Sequence, residues 1–174
     1  MEDVTRTVMR LLQLLWVVLL TALIGNVIAL NVGAAGSAQA AVNFAMFVAV
    51  VVWMAALYGL VTHYISTLFS PTVAMVLDSA ATLFTFIGGV VLAAKLKVTS
   101  CGGALDPKDL GADWIGFGSA DDTKRCREIQ ASAVFLWFLF FCFCVSLFFT
   151  FRTFRRAGGG SVLSSAPTMS QLRV

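Results

Sequence analysis

Apolar and polar positions in this chain come in blocks instead of alternating. Four apolar stretches, Leu11–Leu30, Val42–Tyr64, Pro71–Ala94 and Ala131–Thr150, each run for about 20 residues. At about 1.5 Å of rise per residue, that length matches the roughly 30 Å hydrocarbon core of a bilayer. A backbone in lipid must satisfy its own hydrogen bonds, so such blocks predict helices. The short, evenly alternating segments of a membrane barrel are not seen. The expected fold class is therefore an all-α membrane protein with four transmembrane helices. Residues 1–156 form the membrane domain, and 157–174 form a disordered tail rich in Gly and Ser.

The connections refine this picture. A short lead-in, Met1–Arg10, precedes the first span. Ala38-Gln39-Ala40 resembles a signal-peptidase site, but the apolar run before it is too long for a signal core and ends too early, which favours an uncleaved anchor. The first connection, Asn31–Ala41, is uncharged. The turn at Thr67–Ser70 is tight, and Ser70-Pro71 reads as an N-cap followed by proline at the first helical position. Lys95–Gln130 is the only long polar connection, and it carries a cysteine near each end.

Composition supports a membrane setting: 59% of residues are hydrophobic and 12% charged, whereas soluble domains have about a quarter charged. Four crossings put both termini on one side. Basic residues tie between the two sides, but those of the long loop are offset by Asp106, Asp109, Asp113, Asp121, Asp122 and Glu128, while Arg152, Arg155 and Arg156 have no acidic neighbours. The positive-inside tendency then predicts cytoplasmic termini. The paired loop cysteines point the same way, because a Cys101–Cys126 disulfide suits an oxidising compartment. Closing that loop contributes about 3 kcal/mol and is expected to hold Trp114 and Phe117 near the outer membrane face, where aromatic rings favour the interface, or simply packed under the loop. The loop is then an ectoloop spanning 95–130.

Asp78 is the sharpest anomaly, the one charged side chain inside the spans as drawn. Inserting a central Asp as a charge costs about 3 kcal/mol, comparable with neutralising it first, so its state stays open. Asp78, Ala81, Thr85, Gly89 and Ala93 recur at helical spacing as a small-residue stripe suited to close packing. One reading is a polar tether to a neighbouring helix, with Asn26, Thr82 or Tyr58 as partners. On that reading Asn in place of Asp78 preserves folding and Leu does not. The other reading is a site for a lipid headgroup, a proton or a partner helix.

Other residues point to contact instead of chemistry. Cys142 and Cys144 sit on different faces and read as small apolar fillers. His63, the single histidine, suits interfacial hydrogen bonding. The aromatic fourth span reads either as ordinary apolar anchoring or as a preference for ordered, sterol-rich bilayer. Arg152, Arg155 and Arg156 form a juxtamembrane cluster that either contacts anionic lipid, at about 1 kcal/mol per charge, or serves as an ordinary stop-transfer flank. Ser161, Ser164, Ser165 and Ser170 are candidate phosphorylation positions. Catalytic motifs, cofactor-binding glycine loops and metal-ligand clusters are not found in the sequence, which predicts no enzyme, no cofactor and no nucleic-acid partner.

Several runs resemble the fungal non-classical export protein 2 family, within the MARVEL-domain architecture. They are Leu77-Asp78 with Thr82-Leu83-Phe84-Thr85-Phe86 and Gly88, then Ser100-Cys101, and Arg125-Cys126-Arg127 leading through Gln130-Ala131 into Ala133-Val134-Phe135-Leu136-Trp137-Phe138. Pro167-Thr168-Met169-Ser170-Gln171 in the tail adds to the likeness. The stretch between the cysteines, with Trp114 and Phe117, and the uncharged first connection depart from that family's pattern. The resemblance implies a plasma-membrane protein of static, furrow-like microdomains (eisosomes), linked to sphingolipid sensing and unconventional export. Its partners would be membrane lipids, further copies of itself and an integral-membrane or eisosome scaffold protein. Two rivals remain open: an accessory subunit of a pump or transporter, and a small proton-coupled channel using Asp78.

Overall fold

The computed structural model describes residues 2–65, 70–97, 101–102, 110–111 and 113–156. They form four long helices: α1 (Glu2–Ala29), α2 (Gly36–Tyr64), α3 (Pro71–Leu96) and α4 (Asp122–Arg156). All four are long and apolar enough to cross a membrane. The helices pack in cyclic order, each against its two chain neighbours and α4 back against α1, leaving α1 opposite α3 and α2 opposite α4.

Four boundaries move from the sequence expectation: α2 begins at Gly36 and not Val42, α4 ends at Arg156 and not Thr150, and the starts of α1 and α4 both move earlier. α1 takes in the lead-in, so Arg10 lies on the helix itself. α4 begins at Asp122, well before Ala131. Capping explains the earlier start of α4, because Asp121 Oδ1 accepts the Lys124 N–H at 2.9 Å and Asp122 Oδ1 accepts the Ser119 N–H at 3.1 Å. The first bond satisfies a donor that the helix start leaves open, and the second ties the preceding bend to the helix. The long loop is correspondingly shorter than 95–130.

Ser70 precedes α3 with extended dihedrals and Pro71 follows at the first helical position, but Ser70 forms no side-chain cap. The Tyr58 hydroxyl accepts the Ser70 N–H at 3.2 Å, so α2 is tied to the residue that opens α3.

The interior is narrow because α2 faces it with alanine. Ala38, Ala41, Ala45, Ala49 and Ala55 are all buried, alongside Val42, Val48 and Val52. Small side chains let helix backbones approach closely where lipid supplies no hydrophobic drive between helices. Opposite them lie Val17, Leu20 and Ile24 of α1 and Leu136, Leu139 and Phe143 of α4. The outward faces stay apolar, with Leu15, Phe47, Met54, Val76, Leu83, Phe138, Phe141 and Phe148 exposed. In water such a surface would drive aggregation; in a bilayer it is the lipid contact.

The small-residue stripe of α3 holds through Asp78, Ala81, Thr85 and Gly89, all buried, and fails at Ala93, which is exposed. At about 100° per residue Ala93 lies some 60° round from Asp78, while Leu96 returns to the same meridian. Leu92 and Leu96 therefore complete the buried face. At Gly89 an added Cβ would stand 3.3 Å from the Trp137 ring, so the glycine lets the indole lie against α3.

Candidate functional site

Six residues from all four helices meet near the end of the bundle that carries both termini. Asp78 is seven residues into α3, about 10 Å along its axis, so it lies toward one face of the membrane and not at its centre. Arg10 reaches it from α1. Arg10 Nη1 donates to Asp78 Oδ1 at 2.9 Å and Nη2 to Oδ2 at 2.8 Å, a bidentate pair whose side chains are 12% and 1% exposed. Thr150 of α4 donates to Oδ2 at 3.0 Å. Arg10 Nη1 also donates to Gln13 Oε1 at 2.9 Å, and Gln13 Nε2 donates to Ser146 Oγ of α4 at 2.9 Å. Gln13, Ser146 and Thr150 are buried.

The fourth helix contributes a gap. A Cβ on Gly59 of α2 would overlap Nε and Cζ of Arg10, so the guanidinium lies across the position where any other residue would place a side chain. That gap matters because α1 and α3 stand diagonally opposite, and the pair must cross the bundle between them. Only a long side chain with a planar, doubly donating head spans that distance and still grips a carboxylate at both oxygens.

Asp78 was expected to face no basic partner within the spans; Arg10 overturns that, because α1 begins one full lead-in earlier than drawn. Of the tethers suggested for Asp78, none holds its carboxylate. Asn26 lies at the other end of α1 and donates to Glu128 at 2.6 Å, while Thr82 Oγ1 donates to the Asp78 backbone carbonyl at 2.6 Å, one turn back on its own helix. Thr85 likewise turns back on its own helix, donating to Ala81 O at 2.7 Å. With Arg10 opposite, Asn at position 78 would leave a buried cation uncompensated, so the expectation that Asn is tolerated is also revised. Arg10, Gln13, Gly59, Ser146 and Thr150 were missed. Depth was the available signal: in an antiparallel bundle, polar residues about two turns from the same end of α1, α3 and α4 share one level.

The opposite end is built differently. Cys101 and Cys126 are bonded, with Cα atoms 5.7 Å apart, and Cys126 belongs to α4, so the bridge ties loop to helix. Trp114 is 2% exposed, donates to Leu96 O at 3.2 Å and packs edge-on against Phe117 at 5.1 Å between centroids. Packing under the loop describes Trp114: the indole plugs the end of the bundle, where its N–H finds the C-terminal carbonyl of α3. Gly118 has φ +103°, and a Cβ there would collide with the Ala34 backbone. Its carbonyl accepts the Val32 N–H at 2.9 Å, joining the two connections on this side.

The remaining candidates stay apart. Cys142 is buried and Cys144 half-buried, both unbonded. Arg152 and Arg155 are exposed and lie over Phe148 and Phe151, at 5.2 and 5.8 Å from the ring centroids. The side chains of His63 and Arg156, and Ser161, Ser164, Ser165 and Ser170, lie outside the described residues.

The sequence pattern of the MARVEL family, a membrane-associating domain, matches residues 4–149, a stretch that takes in every residue of the buried cluster except Thr150. The chain is 32% identical over 132 residues to "Non-classical export protein 2" of Saccharomyces cerevisiae, covering 75% of this chain and 70% of the yeast protein. The protein belongs to the MARVEL family, in its non-classical export protein 2 branch. A second yeast protein, "Non-classical export protein 2 homolog 1", is 32% identical over 107 residues, covering 61% of this chain and 58% of that one. No solved structure matches the chain. This MARVEL protein is thus a multi-pass membrane protein in which one cross-bundle ion pair ties the helices at one end and a cystine-bound cap closes the other.

Proposed function

We propose that this MARVEL protein is a non-enzymatic organiser of plasma-membrane microdomains of the eisosome type, with both termini cytoplasmic, responsive to sphingolipid and linked to unconventional export. One observation carries the reading. Arg10, Gln13, Asp78, Ser146 and Thr150 are turned inward and tied to one another, so that apart from single polar residues such as Asn43 and Ser79 the bundle presents lipid with an apolar, aromatic-rich surface. Its means of action is then shape and lipid contact. An open groove of about 350 Å³ between α3 and α4, floored by Met75, Leu147 and Phe148, adds relief to that surface. The names of the yeast relatives support the link to export. Membership of their family supports the microdomain reading.

The channel reading loses its support at Asp78, which is clamped by Arg10 and Thr150 and is 1% exposed, a poor arrangement for a carrier group that must load and release. Tail serines would tune the construction electrostatically, since each phosphate adds nearly two negative charges beside Arg152 and Arg155.

Imaging the full chain with a fluorescent tail fusion tests the proposal. Immobile surface patches that survive photobleaching and disperse when sphingolipid synthesis is blocked are expected. Uniform surface fluorescence, retention in internal membranes, or stoichiometric purification with one pump or transporter would overturn it.

A further inference from the structure

At the loop end, the last turn of α1 and the first turns of α4 enclose a cavity of about 440 Å³ beneath the Ser119–Asp121 bend. Leu30 and Val32 line it together with four charged residues, Asp121, Lys124, Arg125 and Glu128.

Arg125 is the informative group. It is 3% exposed, and a guanidinium carries five N–H donors. Nε donates to Ile115 O at 3.1 Å, and Nη1 makes two long bonds, to Val27 O at 3.4 Å and Asn31 Oδ1 at 3.3 Å. The two N–H groups of Nη2 meet no acceptor among the described residues. Nη2 itself keeps accessible surface where Arg125 lines the cavity, so the side chain is anchored through Nε and Nη1 while Nη2 can donate to whatever fills the space. The nearby carboxylates take their hydrogen bonds from other donors: Glu128 from the Asn26 amide at 2.6 Å, Asp121 from the Lys124 N–H and Asp122 from the Ser119 N–H, while the charges of Asp122 and Glu128 offset part of the burial that disfavours the Arg125 cation. Lys124 stands 3.9 Å from Glu128, beyond hydrogen-bond reach, with its side chain 56% exposed at the rim.

We propose that this cavity holds the phosphodiester headgroup of a membrane lipid. Its phosphate accepts from Arg125 Nη2 and from Lys124, and its apolar stem runs along Leu30 and Val32. Position supports this, since the cavity lies between the end of the apolar run of α1 and the polar first turns of α4 that precede its apolar block at Ala131, where a headgroup would meet the bundle. The donor set supports it too, because a guanidinium paired with an ammonium suits a phosphate oxyanion. Asp121 and Glu128 favour a head that carries a hydroxyl or ammonium beside its phosphate, and they disfavour bare inorganic phosphate. The site depends on the chain lying in a bilayer and not on the microdomain reading.

The test uses the full chain in maltoside micelles, titrated calorimetrically with dioctanoyl phosphatidylcholine, dioctanoylglycerol and inorganic phosphate. The phospholipid is expected to bind at least about tenfold tighter than the diglyceride, and Lys124→Gln to weaken it about fivefold with an unchanged melting temperature. Arg125→Lys is expected to abolish the preference. Because that change also touches the loop contacts, the exposed Lys124 supplies an independent arm. Equal affinity for diglyceride, inorganic phosphate binding as tightly as phospholipid, or an unaltered preference in Lys124→Gln would each overturn the proposal. Dispersed patches in cells with intact headgroup binding would instead count against the microdomain reading alone.

Discussion

The two ends of this bundle are closed by opposite means. At the end bearing the termini, an ion pair crosses the diagonal between α1 and α3 through a gap left by Gly59, and every partner in it is a side chain. At the loop end, a cystine and a buried indole close the bundle through covalent and backbone contacts, joined by one arginine that donates mostly to carbonyls. Between them lies an alanine-lined seam whose side-chain hydrogen bond between helices runs from Trp53 of α2 to Thr21 of α1 at 3.1 Å, with apolar packing supplying the rest. Apolar packing in lipid gives closeness without register, whereas a bidentate pair and a disulfide each permit one arrangement. The first lock is broken by changing a charge, the second by a reductant.

The largest effect should follow Asp78→Leu. Removing one partner of a buried pair leaves an uncompensated charge, at a cost of about 3 kcal/mol or more, and the full chain should melt much lower in detergent or fail to reach the membrane. Asp78→Asn should fall between Leu and wild type, and an unshifted melting curve for Asn would count against the pairing. Next comes Cys101→Ser. Opening a closed loop of this length costs about 3 kcal/mol in the chain-entropy model, and protease sensitivity should rise at the loop end while crosslinks between cysteines introduced near Gly59 and Arg10 persist. Loss at both ends together would blur the contrast.

Gly59→Ala should cost about 2 kcal/mol by overpacking, and close to nothing in an Arg10→Ala background, because the methyl would then fill space that the guanidinium had occupied. Equal cost in both backgrounds would place Gly59 outside the cluster. The smallest effect belongs to Arg152→Gln. One juxtamembrane charge is worth about 1 kcal/mol toward anionic lipid, so enrichment of phosphatidylserine around the purified protein should drop severalfold with no change in melting.

Much of the fold was legible because block length and apolarity alone specify spanning helices, and the loop cysteines announced their partner by compartment. The site was legible only as far as Asp78. Its partner hid in plain view: Arg10 looked like a flanking charge of the kind that sets orientation, because the helix start was placed where apolarity began. Arg125 was hidden for the converse reason, appearing as one more loop charge in a balanced set when it is the buried cation of the cap. In both cases a basic residue at the edge of an apolar block was assigned to water. Helix capping by Asp121, and the reach of an arginine across a diagonal, decide the matter in three dimensions and leave no periodic trace.

A double-mutant cycle on Arg10 and Asp78, read by thermal unfolding of the full chain in micelles, tests the central claim most directly. Arg10→Met and Asp78→Leu should each destabilise, and the double variant should recover most of the loss, with a coupling of about 2 kcal/mol or more. Additive losses, with coupling near zero, would contradict the account and leave the two side chains as neighbours without a shared role.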